Sequence, residues 1–177
     1  MEQIQSDPEL NRGVISSQGV DFDAAGIIQL NGKLDPRGAW HGFSRLMYPV
    51  AVKSIAIKRA FRVLHVLGAV QFEDPPGTKV GTIEIYRSGP RPEEWIWRYG
   101  VDVLNYRLNS GASEPRLEST VVAWTGSFVD PYVQQRQKPR LFHLRFVTAE
   151  PQAVVDHLDF LAGEGVSSPF IVAITLE

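Results

Sequence analysis

Apolar and polar residues alternate along much of this chain with a period of two, the repeat of a strand that buries one face. Val80 to Arg87 is the clearest case: Ile83 and Ile85 fall on one side, with Thr82, Glu84 and Tyr86 on the other. Ala60 to Phe72 is apolar on both sides, with Phe61, Val63 and Leu67 set against Leu64, Val66 and Val70. That pattern predicts a central strand covered on both faces. Gly26 to Leu30, Val50 to Lys58, Arg140 to Ala149 and Phe170 to Leu176 supply further strands. Glu94 to Leu108 reads as a long strand with Trp95, Trp97, Tyr99, Val101 and Val103 at its odd positions. It is expected to return through Asn109-Ser110-Gly111 into Leu117 to Phe128 as a long hairpin.

Proline and glycine mark the breaks. Asp74-Pro75-Pro76-Gly77 is a turn, and Ser88-Gly89-Pro90-Arg91-Pro92 cannot be regular structure, because proline removes a donor and fixes φ. Asp130 to Pro139 is a polar loop. After Pro151, the residues Ala153, Val154, Leu158 and Leu161 have helical spacing, and Gly163 and Gly165 follow as stop signals. The expected fold is therefore mainly β, a β-sandwich or open barrel of about seven or eight largely antiparallel strands, with one C-terminal α-helix near 151–162. An α+β arrangement is the alternative. Residues 1–33, punctuated by glycine and serine, read as an extended N-terminal arm, Leu34 to Gly38 as a turn, and 34–177 as a single β-rich domain.

Composition narrows the chemistry. With 44 % apolar residues in 177, one core can be buried without disulfides or metal. There is no cysteine, which rules out disulfides, thiolate metal centres and a cysteine nucleophile. Met1 to Pro8 is polar and acidic, unlike a secretory signal, and the longest apolar stretch is broken by Arg62, His65 and Gln71. The expected location is the cytoplasm or an assembled particle, with no membrane contact.

Net charge is −2, but it is unevenly laid out. Acids Glu2, Asp7, Glu9, Asp21, Asp23 and Asp35 dominate the first 35 residues, bases Arg37, Arg45, Lys53, Lys58, Arg59 and Arg62 dominate 36–72, and no base follows position 149. Acidic ends around a basic block suit electrostatic registration between protein subunits.

Candidate reactive groups do not assemble into a known constellation. His41, His65, His143 and His157 show no ligand spacing, although His65 and His143 fall on strands that can be cross-strand neighbours. Asp21 and Asp23 form a carboxylate pair for a hard cation, and Glu93-Glu94 a pair for acid–base work on a sugar, but neither has a supporting motif. Gly42-Phe43-Ser44-Arg45 lacks the second glycine of a nucleophile elbow, and no phosphate-binding glycine loop occurs. No cofactor or metal is implied. Trp95, Trp97 and Tyr99 on one face of a strand are either core or a stacking platform. Arg136, Lys138 and Arg140 make a basic loop suited to a phosphate or an acidic partner; with a pI near 6.1, a partner protein fits better than nucleic acid. The expected role is a non-enzymatic structural or interaction subunit of a larger protein assembly, homo- or hetero-oligomeric, such as a phage or virion component. The alternatives are a β-domain that binds a carbohydrate or small apolar molecule, and a metal-assisted hydrolase using Asp21 and Asp23.

Overall fold

The computed structural model describes residues 13–32, 48–108, 117, 120–129, 134 and 136–177. In chain order its strands are β1 (Val14–Ser17), β2 (Val20–Asp23), β3 (Ile28–Gln29), β4 (Ala51–Arg59), β5 (Val63–Gln71), β6 (Lys79–Tyr86) and β7 (Glu93–Arg98). They continue as β8 (Val121–Thr125), β9 (Phe128–Val129), β10 (Arg136–Gln137), β11 (Arg140–Val147), β12 (Val155–Ala162) and β13 (Ser168–Leu176). Five strands form one sheet in the order β3-β13-β5-β11-β8, four form a second in the order β4-β12-β6-β7, and β1-β2 and β9-β10 are separate two-stranded ladders. All of these strand pairings are antiparallel. The mainly β architecture expected from the alternation is present.

The two large sheets pack face to face around one core. Trp95 of β7 stacks on Phe146 of β11 at 5.3 Å, joining the sheets, and Trp97 fills the space over Gly68 of β5. A β-carbon at Gly68 would lie 2.4 Å from the Phe170 carbonyl oxygen and 3.4 Å from the Trp97 ring, so only glycine lets these elements approach. β5 is buried along almost its whole length, as its two-sided apolar pattern predicts. The second sheet covers one of its faces, and the β1-β2 hairpin lies toward the other, with β2 running over β13 and Phe22 wholly buried.

Three expectations are corrected or relocated. The helix near 151–162 is a strand. Pro151 to Ala153 form a turn, and β12 then pairs with β4 on one side and β6 on the other. The stripe Ala153, Val154, Leu158 and Leu161 is not the buried set: Val154 is 61 % exposed, whereas Val155, Leu158, Phe160 and Ala162 line the core. Ladder bonds on both sides outweigh a local spacing that also suits a helix. The α+β alternative falls with it, since no helix occurs among the described residues.

The long hairpin of 94–108 with 117–128 is also absent. β7 stops at Arg98, because Gly100 turns at φ +71° and Asp102 accepts the Arg98 N–H at 2.8 Å. The chain then crosses to the other sheet, where Tyr106 donates its N–H to Val70 at 2.8 Å. β7 pairs with β6, and β8 with β11. Of the segment read as an arm, residues 13–32 are described. They form β1, β2 and β3, with Phe22 and Leu30 in the core. The turn expected at 34–38 and His41 lie outside the described residues.

β4 owes its imperfect alternation to two bulges. Ser54 (φ +60°) and Lys58 (φ +56°) each fall where the β4-β12 register gains a residue on β4.

Candidate interaction surface

The outer face of the four-stranded sheet carries the most distinctive arrangement of charge. On β6 the inward residues Ile83 and Ile85 are core, so Thr82, Glu84 and Tyr86 lie on the opposite face, where Thr82 is covered and Glu84 and Tyr86 are half-buried. The ladders place Asp159 of β12 directly opposite Glu84, and Glu94 of β7 directly opposite Glu84 on its other side. Three carboxylates thus stand in one row across three adjacent strands. The row above pairs His157 with Tyr86, whose rings stack at 4.5 Å and 10°, and the row below aligns Leu161, Thr82 and Ile96. Lys53 lies in the β4 bulge beside Asp159.

The carboxylates act on one another's surroundings. Tyr86 donates its hydroxyl to Glu84 at 2.8 Å, and its pKa is pushed up to about 12, first by that bond and then by burial and the charges of Glu84, Asp159 and Glu94. All three acids therefore add to a single negative field at this ring. Asp159 is nearly buried and accepts the Ser54 N–H at 2.8 Å, which fixes the bulge. Asp156, at the sheet margin, is held below the usual carboxylate range by Lys58 and His157.

Residues singled out in the sequence occupy other places. Trp97 is fully buried and Tyr99 nearly so, while Trp95 is partly buried against Trp97 and Phe146. Trp97 therefore presents no face on which a sugar or base can stack in this structure. Arg140 is buried, donates from Nε and Nη2 to the Asn105 carbonyl at 3.2 and 3.1 Å, and lies over the Phe142 ring. Arg136 and Lys138 are exposed, and Arg136 reaches Ser127 Oγ at 3.1 Å. The basic loop is thus divided between a structural arginine and two surface cations.

Glu93 and Glu94, adjacent in sequence, point to opposite faces of β7. Glu93 turns inward to Arg87 Nη1 at 2.9 Å and accepts from the Thr148 hydroxyl at 2.6 Å and the Ala149 N–H at 2.9 Å. Burial pushes its carboxyl up, but these bonds outweigh that and leave it lowered. The pair cannot share one substrate. Asp21 is engaged by the Ser16 hydroxyl at 2.5 Å, and among the described residues no three His, Asp or Glu side chains converge as a metal site. No described helix is long and apolar enough to cross a membrane. Glu84 and Tyr86 were visible in the sequence as the polar side of a strand; their alignment with Asp159 and Glu94 depends on register and was not.

Compared with protein-family models, with curated proteins and with solved structures, the chain matches none of them.

Proposed function

We propose that this chain is a non-catalytic interaction subunit of a larger protein assembly, and that it docks a basic protein partner on the outer face of the four-stranded sheet. The observation that carries this reading is the in-register pair Glu94–Glu84, with the nearly buried Asp159 standing behind it in the same row. Like charges directly opposite on neighbouring strands cost roughly 0.2–1 kcal/mol per pair, so the Glu94–Glu84 pair weakens the domain, whereas Asp159 is offset by the Ser54 N–H and lies 3.7 Å from His157 Nε2. A partner that brings lysine or arginine side chains at the strand spacing of about 4.8 Å reverses that cost. A helix laid across the strands with cations four residues apart has nearly this spacing. Ile96, Leu161 and the Tyr86–His157 stack border the row, giving the apolar and aromatic contact that interface centres favour.

The test is Glu84→Gln with Glu94→Gln, using a labelled oligoarginine peptide as the probe and exposed Glu164→Gln as the control. Wild-type and control proteins are expected to bind with an affinity that falls as salt rises. The double variant is expected to lose most of that affinity while gaining roughly 0.5–1 kcal/mol in urea unfolding. Equal binding by wild type and double variant, or a double variant less stable than wild type, overturns the proposal.

A further inference from the structure

Beneath the β1-β2 hairpin lie two of the most deeply buried polar side chains in the molecule, His65 of β5 and His143 of β11, 3 % and 2 % exposed. The ladder sets His65 opposite Arg145 and His143 opposite Leu67, so the two histidines are diagonal neighbours on the sheet face that the hairpin covers. His65 Nδ1 meets His143 Nε2 at 2.9 Å. The outer nitrogens are also engaged: His65 Nε2 with Glu177 Oε2 at 3.3 Å, and His143 Nδ1 with Ser17 Oγ at 3.1 Å. Phe22 of β2 closes the site with its ring edge-on to His143 at 4.9 Å, and Thr175 donates its hydroxyl to the Asp21 carbonyl at 2.8 Å. A continuous chain thus runs Glu177–His65–His143–Ser17, and its last member belongs to the hairpin.

Proton counting on this chain gives a definite result. With both rings neutral, His65 donates from Nε2 to Glu177, His143 donates from Nε2 to His65 Nδ1, and the Ser17 hydroxyl donates to His143 Nδ1. Every bond is made. One added proton fits in either of two ways: on His143, which then donates from Nε2 to His65 and from Nδ1 to Ser17, or with the central bond reversed, His65 donating from both nitrogens and His143 from Nδ1 to Ser17. Again every bond is made. A second proton leaves an N–H on both His65 Nδ1 and His143 Nε2, which face each other. The central bond is then lost and two cations are held together away from water.

We propose that His65 and His143 form a proton-operated latch on the β1-β2 hairpin, closed while the pair carries no more than one added proton and opened by the second. Among the described residues, the charged groups around the pair are Arg145 on β11, Glu177 beyond β13, and Asp21 and Asp23 on β2, while β1 and β8 bring hydroxyl and apolar side chains. Asp21 is already occupied by Ser16. His143 agrees with this picture: burial first, then the His65 and Arg145 charges, hold it below the ordinary histidine value. A histidine lowered in the closed state binds its proton more readily once the hairpin opens. The closed form is therefore at full strength above about pH 6.5 and weakens as pH falls below it.

Amide hydrogen exchange over 14–23, corrected for the intrinsic rate, reads the opening equilibrium directly. In wild type, opening is expected to become up to about tenfold more frequent per pH unit below 6.5, the slope of a one-proton linkage. His65→Asn offers an amide oxygen where Nδ1 stood and removes the neighbouring charge, so protonated His143 keeps both its bonds and the slope becomes shallower, burial alone maintaining what is left. Ser17→Ala removes the hairpin's own bond and raises opening at every pH with the slope unchanged. A flat wild-type profile, or one as steep in His65→Asn as in wild type, overturns the latch. Should His65→Asn not fold, NMR titration of the wild-type imidazoles decides: the hairpin resonances must shift with the second proton uptake and not with the first, and any other order sinks the proposal.

Discussion

Trp97 shows how one residue can be read correctly for size and still be misplaced in function. Its ring sits between the sheets beside Phe160 and over Gly68, and its indole N–H is buried with no hydrogen-bond partner among the described residues. An unpaired buried donor costs about 1–3 kcal/mol. Trp97→Phe is therefore expected to lose less stability than its volume suggests, because it removes that donor, while Trp97→Ala costs about 3–5 kcal/mol by leaving a cavity. Denaturant unfolding of the two variants checks this, and similar losses for both would show that the indole nitrogen has a partner after all. The sequence took Val101 and Val103 as a continuation of its face, but the strand ends at Arg98 and Val101 is exposed, so that argument does not place the tryptophan. Whether a second sheet covered it was not legible, because one strand's sequence does not specify what lies above it.

At the scale of elements, β12 carries the lesson of the missed helix. Gly163 and Gly165 were read as helix stops, but they serve a closer approach. Gly163 donates its N–H to the Val80 carbonyl at 2.9 Å, and a β-carbon there would meet the Lys79 carbonyl oxygen at 2.0 Å. At Gly165 a β-carbon would lie 2.2 Å from a carboxylate oxygen of Asp74. Asp74 cannot easily yield, since it accepts the N–H groups of Val166 and Ser167 at 3.1 and 2.9 Å and so ties the β12-β13 connection to the β5-β6 turn. Gly165→Ala is expected to cost about 1–3 kcal/mol, as overpacking does. A melting temperature equal to wild type would show that the loop relaxes freely. The sequence marked these positions as breaks, and they are breaks; the element that they end was decided by partners on both sides, seventy or more residues away in the chain.

The whole molecule is a sandwich to which the N-terminal hairpin adds a partial third layer. Phe22→Ala is expected to lower stability by about 3–5 kcal/mol, because the side chain is fully buried. A loosely held arm would leave the unfolding curve unmoved, and that result would separate the hairpin from the fold. The Glu94–Glu84–Asp159 row and the His65–His143 chain both belong to this scale. Each joins residues that the chain keeps far apart, and each arises from register between strands. Alternation along the chain marked β4, β5, β6, β11 and β13 as strands, since a period of two needs only neighbours to express it, but it did not mark β12 or the end of β7 at Arg98. The order of the strands, the ladder that aligns three carboxylates and the burial of two histidines under a hairpin were decided by tertiary structure. Hydrogen-bonded register is a long-range choice, and local sequence carries almost no energy that distinguishes one partner strand from another.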